Sequence, residues 1–133
     1  MAPCSKYYCD TNWICGLQYD NTVCRHTIYA EFEVKNTDQD FLKNTSVIIW
    51  TTTPWKIHAN KALAYNQNLK YSVLQLDNKK IVIAEKLINS VIENCELGKF
   101  KILKSFEGKL FQKTVCSHPF KKLGYNYDVP MLD

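Results

Sequence analysis

The run Val47-Ile48-Ile49-Trp50-Thr51-Thr52-Thr53-Pro54-Trp55 constrains this chain more than any other stretch of it. Four large apolar residues leading into three threonines read as a strand, because β-branched and aromatic side chains suit a pleated, half-buried surface. Pro54 ends the ladder, since proline has no N–H to donate. A strand that stops this way carries its hydroxyls to its mouth. Side chains alternate faces, so Thr51 and Thr53 should point one way and Thr52 the other. Each hydroxyl can donate one hydrogen bond and accept others, which suits a ribose, an ester carbonyl or a water. Threonine is also an ordinary strand former, so the threonines by themselves require no ligand.

The strand needs partners, and the hydrophobic period supplies them. Ile28, Ala30, Phe32 and Val34 alternate with Tyr29, Glu31 and Glu33, as in a half-buried strand. Asn36-Thr37-Asp38 is a turn or loop signal before the strand Ser46–Thr51. Tyr71–Leu76 and Ile81–Ala84, joined by Asp77-Asn78-Lys79-Lys80, predict an antiparallel hairpin. The period then changes: Leu87, Ile88, Val91, Ile92 and Cys95 fall on one helical face, with Asn94 and Gly98 as terminators. Phe100–Phe106 and Leu110–Cys116 predict two more strands around Glu107-Gly108-Lys109. The expected core includes Phe32, Val34, Ile48, Trp50, Val73, Leu87, Val91 and Ile102. Many short strands and one or two helices make this an α+β, mainly β domain, expected as a partly closed β-barrel. Alternating strand–helix units are absent, which argues against a doubly wound nucleotide-binding sheet.

Composition bounds the function. At 133 residues the chain suits one domain, which at this size buries about two-thirds of the surface its unfolded form exposes. The hydrophobic content of 46% argues for a packed core rather than disorder. A net charge of +4 is compatible with a polyanionic partner without requiring one. No apolar run approaches the roughly 20 residues that span a bilayer, and the first residues lack the apolar centre of an export signal. The expectation is a cytoplasmic protein with no membrane partner. Cys4, Cys9, Cys15 and Cys24 crowd the first quarter, separated by four, five and eight residues. A zinc site wants about two to four residues between paired ligands, so reduced thiols and no metal are expected. Residues 1–27 carry no clear period and stay unassigned.

The order Ile-Ile-Trp-Thr-Thr-Thr-Pro-Trp at residues 48–55, then Ala59-Asn60, resembles the threonine-rich motif of the isoleucyl-tRNA synthetase editing domain. That domain is an insertion in a class I synthetase that hydrolyses mischarged tRNA. The likeness covers about residues 28–133. It takes in Asn60-Lys61-Ala62-Leu63, His118-Pro119-Phe120 and Tyr127-Asp128-Val129-Pro130, which are weak singly and useful because they come in order. What it implies has a physical logic: a pocket for isoleucine excludes valine by only about 1–3 kcal/mol, so a second, smaller site corrects the error by hydrolysing valyl esters. Such a site needs hydroxyls and amides that orient a ribose and a water, not a covalent nucleophile. By resemblance, Thr51, Thr52, Thr53 and Asn60 bind substrate, Trp50 and Trp55 pack as walls, and no general base is assigned.

The chain departs from the family pattern at two positions inside the motif. Lys56 stands where the family has a threonine, and His58 where it has a proline. Lys56 replaces a hydroxyl with an ammonium that cannot accept a hydrogen bond, and His58 removes a fixed φ from the turn before Asn60. Both changes are expected to impair the site. His118, beside Pro119, reads as structural. The family completes its site with a later Gly-Thr-Gly segment and a His…Asp-Asp stretch, and it binds ATP through His-Ile-Gly-His-type and Lys-Met-Ser-Lys-Ser-type motifs elsewhere. None of these occurs in this sequence, which therefore reads as a piece of a synthetase with no cofactor of its own. The expected partners are the tRNA(Ile) acceptor end, an aminoacyl ester and the rest of the synthetase. The rival readings are a non-catalytic acceptor-end binder, an inactive remnant, and an unrelated nucleic-acid barrel that uses its eight tyrosines for stacking.

Overall fold

The computed structural model describes residues 13–15, 18–20, 23–25 and 28–133. The expected readings of Cys4 and Cys9, and most of residues 1–27, lie outside them. The alternating segment from Ile28 forms β4 (Ile28–Asn36), and the threonine run forms β5 (Thr45–Thr51). Ahead of them lie β1 (Trp13–Cys15), β2 (Gln18–Asp20) and β3 (Val23–Arg25). The chain continues through β6 (Leu63–Ala64), β7 (Lys70–Gln75), β8 (Lys80–Ala84), α1 (Ile88–Asn94), β9 (Lys101–Glu107), β10 (Val115–Ser117) and β11 (Asp128–Leu132). The fold is α+β and mainly β.

One sheet runs in the order β6-β11-β10-β4-β5-β8-β7-β9, with β1 added beside β4. The ladders β5–β8 and β6–β11 are parallel, and the others in the sheet are antiparallel. Here the structure corrects an expectation: the sheet does not close, because β6 and β9 stand at opposite ends of an open path. The predicted hairpin is present as β7–β8, closed by the Leu76 amide donating to the Lys79 carbonyl at 2.8 Å.

The two faces of the sheet bury separate cores. Ile28, Ala30, Phe32 and Val34 of β4 join Val47, Val73, Val82, Phe106 and Phe111 on one face. On the other, Leu74, Leu76, Ile81 and Ile83 pack under Ile88 and Val91 of α1. Strands β7 and β8 are thus covered on both sides, which accounts for their unbroken apolar runs. Glu31 is buried at 7% exposure on the α1 side, and its carboxylate pairs with the Lys79 ammonium from the hairpin loop. A buried carboxylate requires such a partner.

Four side chains expected in the core lie elsewhere. Ile48 is only partly buried, at the margin of the α1-side core. Trp50 is 54% exposed, because α1 covers the β7–β8 half of its face and stops short of it. Leu87 is 53% exposed: a 3₁₀ turn over Glu85–Leu87 precedes the helix, so the helical period begins one residue later, at Ile88. Ile102 is 50% exposed on the edge strand β9, where a register break sets Leu74 against Ile102 and Val73 against Lys104. Such a break bends an edge strand and turns side chains outward.

The strand expected over Leu110–Cys116 is replaced by a 3₁₀ turn at Gly108–Phe111 and a short β10. The turn is forced by close packing. A Cβ on Gly108 would lie 2.1 Å from the Asn66 carbonyl oxygen, and the Gly108 amide donates to the Leu69 carbonyl at 2.8 Å. The tight fit swings Phe111 inward, where its ring lies 4.8 Å from Tyr71 and 5.1 Å from Phe106.

These assignments predict a clear split under urea unfolding. Phe111→Ala should cost about 3–5 kcal/mol, whereas Ile102→Ala should stay within about 0.5 kcal/mol of the parent. Gly108→Ala should destabilise by about 1–3 kcal/mol, since its methyl group meets backbone rather than a side chain that can swing away.

Candidate functional site at the end of strand β5

The threonine strand ends where the sheet divides. Along β4 its ladder runs from Glu33↔Ser46 to Ile28↔Thr51, but along β8 it covers only Thr45–Val47. Trp50 and Thr51 therefore lie past the end of the β8 ladder. Thr51 is opposite Ile28 and so on the Phe32 face, while Trp50 is opposite Tyr29 on the α1 face.

Beyond Thr51 the backbone folds over its own hydroxyl. The Thr53 amide donates to Thr51 Oγ1 at 3.1 Å, a local turn that threonine favours. This brings the Thr51 and Thr53 hydroxyls to 3.4 Å of each other, both half-buried, while Thr52 is exposed. The alternation read from sequence is what the structure shows. With the Thr53 amide on its oxygen, Thr51 keeps its O–H proton to donate. Two adjacent hydroxyls at a strand end can bracket a diol or a water.

Pro54 opens a 3₁₀ turn over Pro54–Ala59, the position where a missing N–H costs nothing. Ile57, at 1% exposure, fastens this turn to the core, and Asn60 follows it, half-buried, with its amide donating to the Ile57 carbonyl at 3.0 Å. Lys56 and His58 are exposed on the turn, as is Trp55 at 60%. Trp55 thus presents a large aromatic surface to solvent on the turn, and Trp50 presents its own on the face opposite to Thr51.

Sequence reasoning passed over what holds the turn down. His118, at 2% exposure, lies 2.8 Å through Nε2 from the Ile57 carbonyl. Its Nδ1 receives the Phe120 amide at 3.0 Å. An amide can only donate, so Nδ1 carries a lone pair, Nε2 carries the proton, and the ring is neutral. Next to it, the Tyr127 hydroxyl donates to the His58 carbonyl. Tyr125 stacks on His118 at 5.6 Å and reaches the His58 ring at 6.2 Å. The only sequence signal for this was His118-Pro119 in order after the threonine run, which says nothing about its partners.

Burial holds the His118 pKa below its ordinary value of 6.5, with a smaller contribution of the same sign from nearby His58 and an opposing one from the Ile57 carbonyl. Burial also pushes the Cys116 thiol up to about 12, so it stays protonated and inert. For His118 the sign is definite. Below pH 6.5 the unfolded chain takes up a proton that the folded chain resists, so stability is full above that pH and falls below it. The thermal midpoint should drop between pH 7 and pH 5 in the parent, and this drop should be smaller in His118→Gln.

No family model matches the chain. Among characterised proteins it is similar to the isoleucine–tRNA ligase of Pelagibacter ubique, 57% identical over 113 residues that cover 80% of this chain and 12% of that protein. The corresponding ligase of Syntrophotalea carbinolica is 40% identical over 90 residues, covering 68% of this chain and 9% of its own length. That of Gluconobacter oxydans is 36% identical over 118 residues, covering 80% and 12%. The chain thus spans about an eighth or less of the length of these relatives. Among the described residues no helix is long and apolar enough to cross a membrane. By that sequence likeness the chain belongs to the isoleucine–tRNA ligase family.

Proposed function

We propose that this chain supplies the threonine half of an editing site that hydrolyses valyl esters of tRNA(Ile). The observation that carries the reading is the Thr51–Thr53 hydroxyl pair, 3.4 Å apart at the point where the β5 ladder to β8 has ended. Thr51 and Thr53 would orient the terminal ribose or the attacking water, Thr52 would contact the exposed side of the nucleotide, and Asn60 would add an amide at the end of the turn. Precise hydroxyl placement is the main thing such a site supplies, because hydrolysis needs a held water rather than a covalent intermediate.

Lys56 works against this site. The aminoacyl ester carries an ammonium, and a second cation on the turn disfavours it. Little turnover is therefore expected from the 133-residue chain, even where it binds. A second reading, a non-catalytic binder of the tRNA acceptor end, is favoured by the exposed Trp55, which offers a stacking surface next to Lys56 on the turn. The rest of the synthetase and a cytoplasmic setting complete either reading.

Calorimetric titration with a non-hydrolysable valyl-adenosine analogue tests the assignment. Binding should weaken roughly 2- to 13-fold in Thr51→Val, the range of one net hydrogen bond, and tighten in Lys56→Thr. An isoleucyl analogue should bind less well than the valyl one. Equal binding by Thr51→Val and the parent would remove the hydroxyls from the site. Measurable deacylation of Val-tRNA(Ile) would favour the editing reading over the binder.

A further inference from the structure

We infer that His118 and Tyr127 are positioning residues for the substrate turn, holding its Ile57 and His58 carbonyls so that Asn60 and the Thr51–Thr53 pair keep their relation. The inference rests on the site proposed above, but its physical content stands on geometry alone. The end of a six-residue 3₁₀ turn offers carbonyl lone pairs that its own amides do not fill: the Asn60 backbone amide caps Ile57 and leaves one lone pair of that oxygen open. Here two successive ones, Ile57 and His58, are met from one segment lying about 60 to 70 residues downstream: the His118 imidazole reaches the first at 2.8 Å, and the Tyr127 hydroxyl the second. Ile57 accepts from both His118 Nε2 and the Asn60 amide, so its two lone pairs are filled, and the histidine and the asparagine share one oxygen.

The donors are themselves fixed. The Phe120 amide on Nδ1 sets the tautomer that points the Nε2 proton at Ile57. Phe32 lies edge-on to the ring at 6.1 Å, Tyr127 is tilted against it at 4.9 Å and Tyr125 stacks at 5.6 Å, which leaves the imidazole little freedom to rotate. Phe32 belongs to the strand that pairs with β5, so strand, turn and downstream segment meet at one ring. Tyr127 is only half-buried and directs its hydroxyl at the turn rather than at the core. A residue kept for packing alone would not need that hydroxyl.

Amide hydrogen exchange in the 133-residue chain reads this directly and without any ligand. Tyr127→Phe keeps the ring and removes one donor. It should speed exchange at Lys56 and Asn60 roughly three- to tenfold, while the core amides of Val73 and Val82 stay unchanged. His118→Leu should do the same to a greater extent, and His118→Gln, which retains an amide donor, should recover part of the protection. The same variants should weaken the valyl-adenosine analogue in the order Leu, Phe, Gln. Unchanged exchange at Asn60 in both Tyr127→Phe and His118→Leu would overturn the inference, as would loss of protection spread evenly over turn and core. Should the parent chain bind no analogue, the editing reading fails and the exchange result still decides the positioning role.

Discussion

The register of β4 against β5 governs the rest of the molecule. Ile28 opposite Thr51 and Phe32 opposite Val47 put one alternating set on the large aromatic core, and Tyr29, Glu31, Ile48 and Trp50 on the helix side. Side chains in a strand alternate strictly, so a slip of one residue would exchange the two sets. It would send Glu31 into the Phe111 cluster and Phe32 away from His118. The same register sets the face of Thr51, and the local turn beyond it, with the Thr53 amide on the Thr51 hydroxyl, brings Thr53 to its side.

That face is finished by polar contacts rather than by more apolar surface. The ends of 3₁₀ turns and the edges of short strands expose backbone carbonyls, and a buried carbonyl without a donor is costly. The chain adds a neutral histidine and a tyrosine hydroxyl at the Ile57 and His58 carbonyls, and on the opposite face it answers a buried carboxylate in the same way, with the Glu31–Lys79 pair. Both devices join segments far apart in sequence. Each also constrains geometry more tightly than apolar contact can, because a hydrogen bond has a direction.

The relation to isoleucine–tRNA ligases gives these features a context. In the editing-domain motif that the threonine run resembles, the turn carries a threonine and a proline where this chain has Lys56 and His58. Both substitutions fall on exposed positions of the 3₁₀ turn, while the buried members, Ile57 and the His118 ring beneath it, retain a coherent set of contacts. The change is confined to the side of the turn that faces solvent. Under the proposed reading it would alter what the site can hold, while the packing beneath the turn is kept.

Much of this architecture is legible in local chemistry. The alternation of residues 28–34, the hairpin at 71–84, the helical face from Ile88 and the stop at Pro54 each depend on neighbours a few residues away, and each is present. The opposed directions of Thr52 and its two neighbours are legible for the same reason. What the sequence could not determine depends on distant partners. Trp50, Leu87 and Ile102 are apolar and suitably spaced, yet exposed, because burial is decided by how far α1 reaches and where β9 ends the sheet. The Gly108 turn in place of a strand reflects the Asn66 carbonyl more than forty residues away. His118 and Tyr127 became part of the site only when the sheet order carried their segment beneath the turn, since a hydrogen-bond partner is set by position in space and leaves no period in the chain.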